Sequence, residues 1–242
     1  MSLPLLQTRP DSRASTLARG APVAFTQPVL RLQDVGIGDA CVNVQAYAGE
    51  IVHVSGGSAM ARLRLLAMAA GLGHVGSGRC ELLGHCLLEQ SQAQRQALRE
   101  RHVSRLLSCD HLPEAASVQA AVAMPLVRQG TPVEDALARA ALELDALCAG
   151  ALAGRRPATL SRTEARLALL ARAMVARPRL LVLEQPEEAL APAAISAVRL
   201  ALWALSSTFN TCVLMSTDHP RLMASADRFI DLDRSPPPRL SA

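Results

Sequence analysis

The chain contains no lysine: all 25 basic residues among its 242 residues are arginine. The formal net charge is only +4, and aromatic residues make up 2% of the sequence. Binding of nucleic acid depends on a strong basic charge, and binding of single strands also uses aromatic rings on which bases stack. The composition therefore argues against nucleic acid as a partner.

The sequence also lacks long apolar runs and paired cysteines. No apolar run approaches the ~20 residues that span a bilayer, and the start has no apolar stretch of the signal-peptide type. We therefore predict a soluble intracellular protein that meets a membrane only through partners. None of the six cysteines forms a Cys-x-x-Cys pair, so no zinc or redox motif is indicated. Cys80, His85 and Cys86 lie close together in sequence, but half-buried thiols in strands explain them better than a metal site.

Residues 49–66 have the layout of a phosphate-binding P-loop, with a strand, a small-residue turn and a helix predicted from about residue 62 to 70. Such a loop is rich in glycine and ends in Gly-Lys-Ser/Thr. Gly56, Gly57 and Ser58 match its beginning. The later positions carry other residue types: Ala59, Met60 and Ala61 where glycines belong, Arg62 for the lysine, Leu63 for the hydroxyl, and then Arg64.

The order of predicted strands and helices indicates an α/β fold. Short, continuously apolar strands alternate with helices in the last third, which is typical of a buried, mainly parallel sheet flanked by helices. Two strands near the N-terminus predict an antiparallel edge. We expect a flexible leader over 1–28, one domain over 29–234 with an inserted helical subdomain at about 109–158, and a proline-rich tail over 235–242.

The helical subdomain is predicted from one helical face and one cap. Residues 131–134, Thr-Pro-Val-Glu, have the capping-box pattern with Pro132 at the first helical position. Apolar residues then recur at helical spacing: Val133, Ala136, Leu137, Ala140, Ala141 and Leu144.

The ordered set of segments resembles the ATP-binding cassette (ABC) ATPases over about residues 29–234. Three stretches echo the spacing of the lipoprotein-release, cell-division and macrolide-export group: GHCLLEQSQAQRQALRERHVSRLLS, SVQAAVAMPL and RPATLSRTEARLALLARAMVARPRLLVLEQP. The resemblance implies a P-loop NTPase-like fold, ATP and Mg²⁺ as the family's ligands, and a subunit that sits beside a permease at the cytoplasmic face of the inner membrane.

The resemblance places the family's signature, Leu-Ser-Gly-Gly-Glu, at residues 160–164. In dimers of the family this segment caps the ATP held by the opposite subunit. Ser161 and Glu164 match it, whereas Arg162 and Thr163 replace the two glycines. Ser161-x-x-Glu164 is also a helix capping box, which is a purely structural reason for the same residues.

The catalytic positions of the family are also occupied by other residue types. The Walker B aspartate and the catalytic glutamate fall on Glu184 and Gln185, and the amide of Gln185 cannot accept a proton as a general base. Ser108 stands where the family has a glutamine. Asp218 occupies the position of the switch histidine, where a carboxylate repels the γ-phosphate, and His219 follows one residue late.

Because every catalytic position differs while the apolar framework persists, the leading hypothesis is a pseudo-ATPase. It would act as a structural or regulatory subunit that pairs with an intact cassette, a permease, or both. A homodimer would combine altered halves in both of its composite sites. The alternative is an atypical ATPase that binds or hydrolyses Mg²⁺–ATP weakly. No metal site is predicted.

A third hypothesis comes from a different class of protein. Gly56-x-Ser58-x-Met60, between a strand and a helix, resembles the Gly-x-Ser-x-Gly nucleophile elbow of serine hydrolases. Asp218 and His219 follow in the chain order of such a triad. However, Met60 replaces the second glycine, and adjacent aspartate and histidine residues rarely supply both remaining roles.

Overall fold

A computed structural model describes residues 27–38, 40–73 and 77–234. The predicted leader, apart from its last two residues, and the predicted tail lie outside the described residues. The strands are β1 Leu30–Ile37, β2 Ala40–Ala46, β3 Ile51–Ser55, β4 Arg79–Leu82, β5 His85–Cys86, β6 Val103–Leu106, β7 Leu180–Glu184, β8 Cys212–Ser216 and β9 Arg228–Asp231. The helices are α1 Ala59–Ala69, α2 Gln92–His102, α3 Val118–Arg128, α4 Val133–Ala146, α5 Arg162–Met174, α6 Pro192–Phe209 and α7 Pro220–Met223.

The strands form two sheets, as the sequence predicts. An antiparallel sheet has the order β2-β1-β4-β5, and a parallel sheet has the order β6-β7-β8-β3-β9. Residues 180–183 of β7 are fully buried, which explains their unbroken apolar run. α1 contacts β1 of the antiparallel sheet and β7 and β8 of the parallel sheet, so it lies between the two sheets. The core beneath it draws apolar side chains from both sheets.

The middle of the chain is helical, but its predicted cap is wrong. α4 begins at Val133, and Pro132 occupies the N-cap position without a side-chain hydrogen bond. Proline has no side-chain acceptor, and Thr131 lies one residue too early to supply one. Ala136, Ala140 and Leu144 of the predicted face are buried against α3 and α5, whereas Val133 is 57% exposed.

α6 is the one helix in the described part of the chain whose length and apolar character would allow it to cross a membrane, with a mean hydropathy of 1.2. Ile195, Val198, Leu202 and Leu205 on this helix are buried in the core that also contains β7 and β8. An apolar stripe on one face is how a helix packs on the sheet of a globular domain.

Candidate functional site

Three neighbouring strands of the parallel sheet end at the edge where the predicted site residues lie. Glu184 ends β7, Thr217 follows β8 and Gly56 follows β3, and the sheet order places β8 between the other two. The carboxyl ends of parallel strands share one edge, and crevices at this edge are where α/β sheets bind ligands. The loops after these strands therefore form the candidate site.

The turn between β3 and α1 is short. Gly56 and Gly57 have φ angles of +67° and +59°, the left-handed region that favours glycine. Ser58 then caps α1, because its Oγ accepts a hydrogen bond from the N–H of Ala61 at 3.1 Å. The helix begins at Ala59, three residues before the predicted start at Arg62. The prediction was wrong because alanine and methionine are strong helix formers and extend the helix back to the serine cap.

The side chain of Arg62 folds back over this turn. Its Nη1 donates to the carbonyl oxygens of Gly56 and Gly57, both at 3.1 Å. The N–H of Gly57 donates to Oδ1 of Asp233 at 2.9 Å. A Cβ on Gly56 would lie 2.3 Å from Oδ1 of Asp231. The turn is therefore enclosed by a guanidinium on its carbonyls and by carboxylates from the end of the described chain.

The next residues of α1 divide between core and solvent. Leu63 packs against the apolar core between the two sheets. Arg64 is exposed, and Met60 is 57% exposed at the start of the helix. Leu63 thus contributes an apolar contact at the position where the P-loop motif places a hydroxyl.

Glu184 and Ser108 come together although 76 residues separate them in sequence. Oε2 of Glu184 accepts a hydrogen bond from the N–H of Ser108 at 2.8 Å. Glu184 is the last residue of β7, and Ser108 follows the neighbouring strand β6. The carboxylate is therefore oriented by a backbone donor from the adjacent strand end.

The residue after β7 has a strained backbone that a buried arginine holds in place. Gln185 has a φ of +41°, and its N–H donates to the carbonyl of Ser216 at 2.7 Å. Nη2 of Arg166 donates to the carbonyls of Glu184 and Gln185 at 2.6 and 2.5 Å. Burial lowers the pKa of Arg166, against the opposing effect of nearby carboxylates including Glu188. Sequence reasoning missed Arg166, whose only signal is a charge within an apolar run of α5.

The segment at residues 160–164 forms the predicted capping box. Oγ of Ser161 accepts from the N–H of Glu164 at 3.3 Å, and Oε2 of Glu164 accepts from the N–H of Ser161 at 2.8 Å. Arg155 adds an ion pair to Glu164 at 2.5 Å. The backbone hydrogen bond from Ser161 is the main cause of a lowered pKa at Glu164.

The first residues of α5 are tied to the loop after β7. Arg162 forms an ion pair with Glu188. Oγ1 of Thr163 donates to the carbonyl of Ala189 at 2.6 Å. The two residues that stand at the glycine positions of the signature therefore make side-chain contacts that glycine cannot make.

Asp218 and His219 make separate hydrogen bonds, the first through its backbone and the second through its ring. The N–H of Asp218 donates to Oε1 of Glu187 at 3.1 Å. Nδ1 of His219 accepts from the N–H of Arg221 at 3.2 Å and caps α7. Since Ser58 Oγ bonds to its own helix, none of the described hydrogen bonds joins it to His219 in the manner of a hydrolase dyad.

A second histidine, which sequence reasoning missed, lies beneath this edge. His53 on β3 is 1% exposed, and its Nε2 lies 2.8 Å from the carbonyl oxygen of Thr217. The ring of Phe229 packs against it edge-on, with 5.4 Å between centroids. His53 thus links β3 to the loop after β8. Within the described residues, no group of three His, Cys, Asp or Glu side chains is arranged to hold a metal ion.

Known proteins share both the sequence and the architecture. The lipoprotein-releasing system ATP-binding protein LolD of Chromohalobacter salexigens is 30% identical over 202 residues, covering 84% of this chain and 85% of the relative. LolD of a Ruegeria species is 30% identical over 192 residues, covering 79% and 85%. No protein-family model matches the chain.

Two solved structures share the fold. A dimeric, post-hydrolysis state of the ATP-binding cassette MJ0796 bound to ADP and Pi superimposes with a TM-score of 0.77 at 18% identity, covering 87% of this chain and 99% of that one. The structure of cbiO1 from Clostridium perfringens, part of the ABC transporter complex cbiONQ, has a TM-score of 0.70 at 19% identity, covering 85% of both chains.

The fold is that of an α/β protein of the P-loop cassette class. Its defining features are the two sheets, the turn that joins β3 to α1 and the residues at the strand ends. The sequence relatives make this assignment specific: the chain belongs to the ATP-binding cassette family, in the group of the lipoprotein-releasing ATP-binding proteins. The predicted fold and family are thereby confirmed.

Proposed function

We propose that this chain is a cassette subunit of an ABC transporter complex and that the subunit itself does not hydrolyse ATP. The observation that carries the proposal is the turn between β3 and α1. Its carbonyls are bonded to Arg62, and the N–H of Gly57 is bonded to Asp233. A P-loop binds phosphate because successive free N–H groups converge on the anion. Here the helix starts at Ala59, and two donors of the row are already bonded to Ser58: the N–H of Ala61 to its Oγ at 3.1 Å and the N–H of Arg62 to its carbonyl oxygen at 3.0 Å.

The residues at the metal and base positions support the same proposal. Mg²⁺ is bound by oxygen ligands, and Leu63 offers none. Gln185 cannot take a proton from an attacking water. The residues present therefore do not fit Mg²⁺–ATP in the way the family binds it.

The subunit would act through its family's assemblies. The MJ0796 cassette is described as a dimer, and cbiO1 as part of a transporter complex. By the same arrangement this chain would pair with an intact cassette and a permease at the cytoplasmic face of the inner membrane, and transmit or regulate motion without its own turnover. In such a pair, Ser161 would face the partner's P-loop.

A weakly ATP-binding subunit is the second candidate, since the relatives are named ATP-binding proteins. Thermal unfolding with and without Mg²⁺–ATP separates the two. ATP at 100 times its Kd adds ~2.7 kcal/mol of stability, which raises the melting temperature of a chain of this size by ~5–10 °C. We expect no shift at 5 mM ATP. The LolD relative, assayed in parallel, serves as the positive control.

Pairing is tested by affinity purification from native membranes of cells that express the tagged chain. We expect an intact cassette and a permease to co-purify in fixed stoichiometry. Hydrolysis of ATP by the purified chain at the rate of its relatives would overturn the pseudo-ATPase proposal. Recovery of the chain only as a homodimer would overturn the pairing with an intact cassette.

A further inference from the structure

A cleft lined by arginine lies at the opposite edge of the parallel sheet from the candidate site. It is bounded by the C-terminal ends of α2 and α3 and by the segments that lead into β6 and β7, and its volume is about 640 Å³. Cavities of ~300–1,000 Å³ are typical of small-molecule sites. Its lining includes one carboxylate, Glu100, and four guanidinium groups: Arg101, Arg128, Arg177 and Arg179.

The positive charge of this cleft is only partly compensated, by Glu100 in its lining and by Glu143 near Arg177. Within residues 27–38, 40–73 and 77–234, the ion pairs involve none of Arg101, Arg128 and Arg179. Arg172, beside Arg128, adds another guanidinium, and its buried Nε has no hydrogen-bond partner. Burial, and then Arg101 and Arg179, lower the pKa of His102 in the same cleft. The neighbouring groups thus create a positive potential there.

The cleft is also held in shape by its own contacts. Nε2 of Gln129 donates to the carbonyl of Glu100 at 2.9 Å, which joins the ends of α3 and α2. The N–H of Arg179 donates to the carbonyl of His102 at 2.9 Å. The guanidinium of Arg177 stacks on Phe209, 3.8 Å from the ring centroid. These contacts fix the backbone around the cleft and the side chain of Arg177, and guanidinium groups suit planar, bidentate recognition of phosphate.

Helix stabilisation alone does not explain this cluster. Arg101 and Arg128 lie in the last turns of α2 and α3, where a positive charge complements the helix dipole. Arg177 and Arg179 lie outside any helix, in the segment that enters β7. Arg177 has a left-handed φ of +46° in the turn that ends α5, where its N–H donates to the carbonyl of Met174 at 2.9 Å.

We propose that this cleft binds a phosphate-bearing anion, with Arg101, Arg128 and Arg179 as its principal ligands. The ligand is either a soluble phosphorylated molecule or the phosphate headgroup of an anionic lipid. The site lies at the amino ends of β6 and β7, away from Glu184 and Gly56, so it is independent of the nucleotide-site residues. It would give a subunit that does not hydrolyse ATP a means of sensing a ligand.

Calorimetry with inorganic pyrophosphate tests the soluble source, and flotation with phosphatidylglycerol vesicles, compared with phosphatidylcholine vesicles, tests the lipid source. The test variant is Arg101→Gln/Arg179→Gln. The matched control, Arg199→Gln/Arg221→Gln, removes the same charge from α6 and α7. We expect the test variant to bind roughly tenfold or more weakly and the control to bind like the natural chain. If the test variant fails to fold, Arg128→Gln replaces it.

The nuclear magnetic resonance signal of the His102 imidazole supplies a local readout. A bound anion cancels part of the surrounding positive charge, so the pKa of His102 should rise on saturation with pyrophosphate. Pyrophosphate binding without flotation assigns a soluble ligand, and flotation that pyrophosphate inhibits assigns a headgroup. The proposal is overturned if neither probe binds, if both double variants lose affinity equally, or if an oligonucleotide binds and pyrophosphate does not compete with it.

Discussion

Arg166 offers the sharpest test of how the loop after β7 is held. The side chain is 7% exposed, and its Nη2 donates to the carbonyls of Glu184 and Gln185 at 2.6 and 2.5 Å. The perturbation is Arg166→Met. Methionine is flexible, fills irregular apolar space and keeps most of the packing of the arginine stem. The substitution therefore removes the hydrogen bonds while leaving the helix intact.

The expected magnitude follows from two opposing contributions. Each carbonyl left without a partner costs ~1–3 kcal/mol where water cannot replace the donor. Against this, the variant no longer buries a cation, whose unfavourable burial is evident from the lowered pKa of Arg166 and from its unpartnered Nε. We expect a net loss of ~2–4 kcal/mol in the free energy of unfolding. In a chain of this size the melting temperature then falls by ~5–15 °C.

Urea unfolding followed by circular dichroism measures this loss. Arg199→Met makes the same chemical change at an exposed position of α6 and should change stability by less than ~0.5 kcal/mol. Hydrogen exchange gives a local readout, because the N–H of Gln185 that donates to Ser216 should lose protection in the Arg166 variant. If Arg166→Met were as stable as the natural chain or more stable, the guanidinium would not be the group that holds this loop.

Three further predictions follow from the site and the core. Arg62→Lys alone should give no ATP hydrolysis above background in a phosphate-release assay. The helix would still begin at Ala59, and both the general base and the hydroxyl that binds Mg²⁺ would still be absent. Turnover from this single change would contradict the proposed function. Ser161→Ala should lower stability by ~1 kcal/mol in urea unfolding through loss of the α5 cap, and an unchanged midpoint would show that the capping box contributes nothing. Among the described cysteines, iodoacetamide should label the exposed Cys109 and Cys148 first. Burial raises the pKa of Cys80 to about 12, so this thiol should be labelled only on unfolding. Peptide mass spectrometry measures the labelling of each cysteine.

The acid side of the stability profile carries a further signature of the α5 cap. The pKa of Glu164 is lowered in the folded chain, chiefly by the backbone hydrogen bond from Ser161. A depressed carboxyl pKa contributes stability above the unfolded-state pKa, and that contribution is lost as the pH falls through the folded-state pKa. Glu164→Gln should therefore flatten the dependence of the unfolding midpoint on pH below about pH 5. An unaltered slope would show that Glu164 is not linked to folding.

The elements that were predictable from sequence are those determined by local pattern. The apolar run of β7 and the Ser161–Glu164 cap each depend on only a few consecutive residues, and both occur where expected. The cap predicted at Thr131 failed by one residue, since Pro132 took the N-cap position. Local patterns thus identify an element more reliably than they fix its first residue.

The candidate site was less predictable because long-range contacts determine it. The start of α1 depends on whether Ala59 to Ala61 remain a loop for a ligand or join the helix, and helix propensity favours the helix. The hydrogen bond between Gly57 and Asp233 joins residues 176 positions apart, and no local sequence pattern predicts it. Arg166 binds two carbonyls on another element, so its role is visible only once β7 and α5 are packed together.

The carboxylate of Asp233 competes with any free anion for the N–H of Gly57. The pairing of β9 with β3 holds it beside the N–H of Gly57 that it accepts from, so its presence at that donor does not depend on protein concentration. A free anion reaching this turn would have to displace a tethered one of the same charge. Substituting lysine or glycine into the loop would leave this carboxylate in place, and only a change at Asp233 would release the N–H of Gly57.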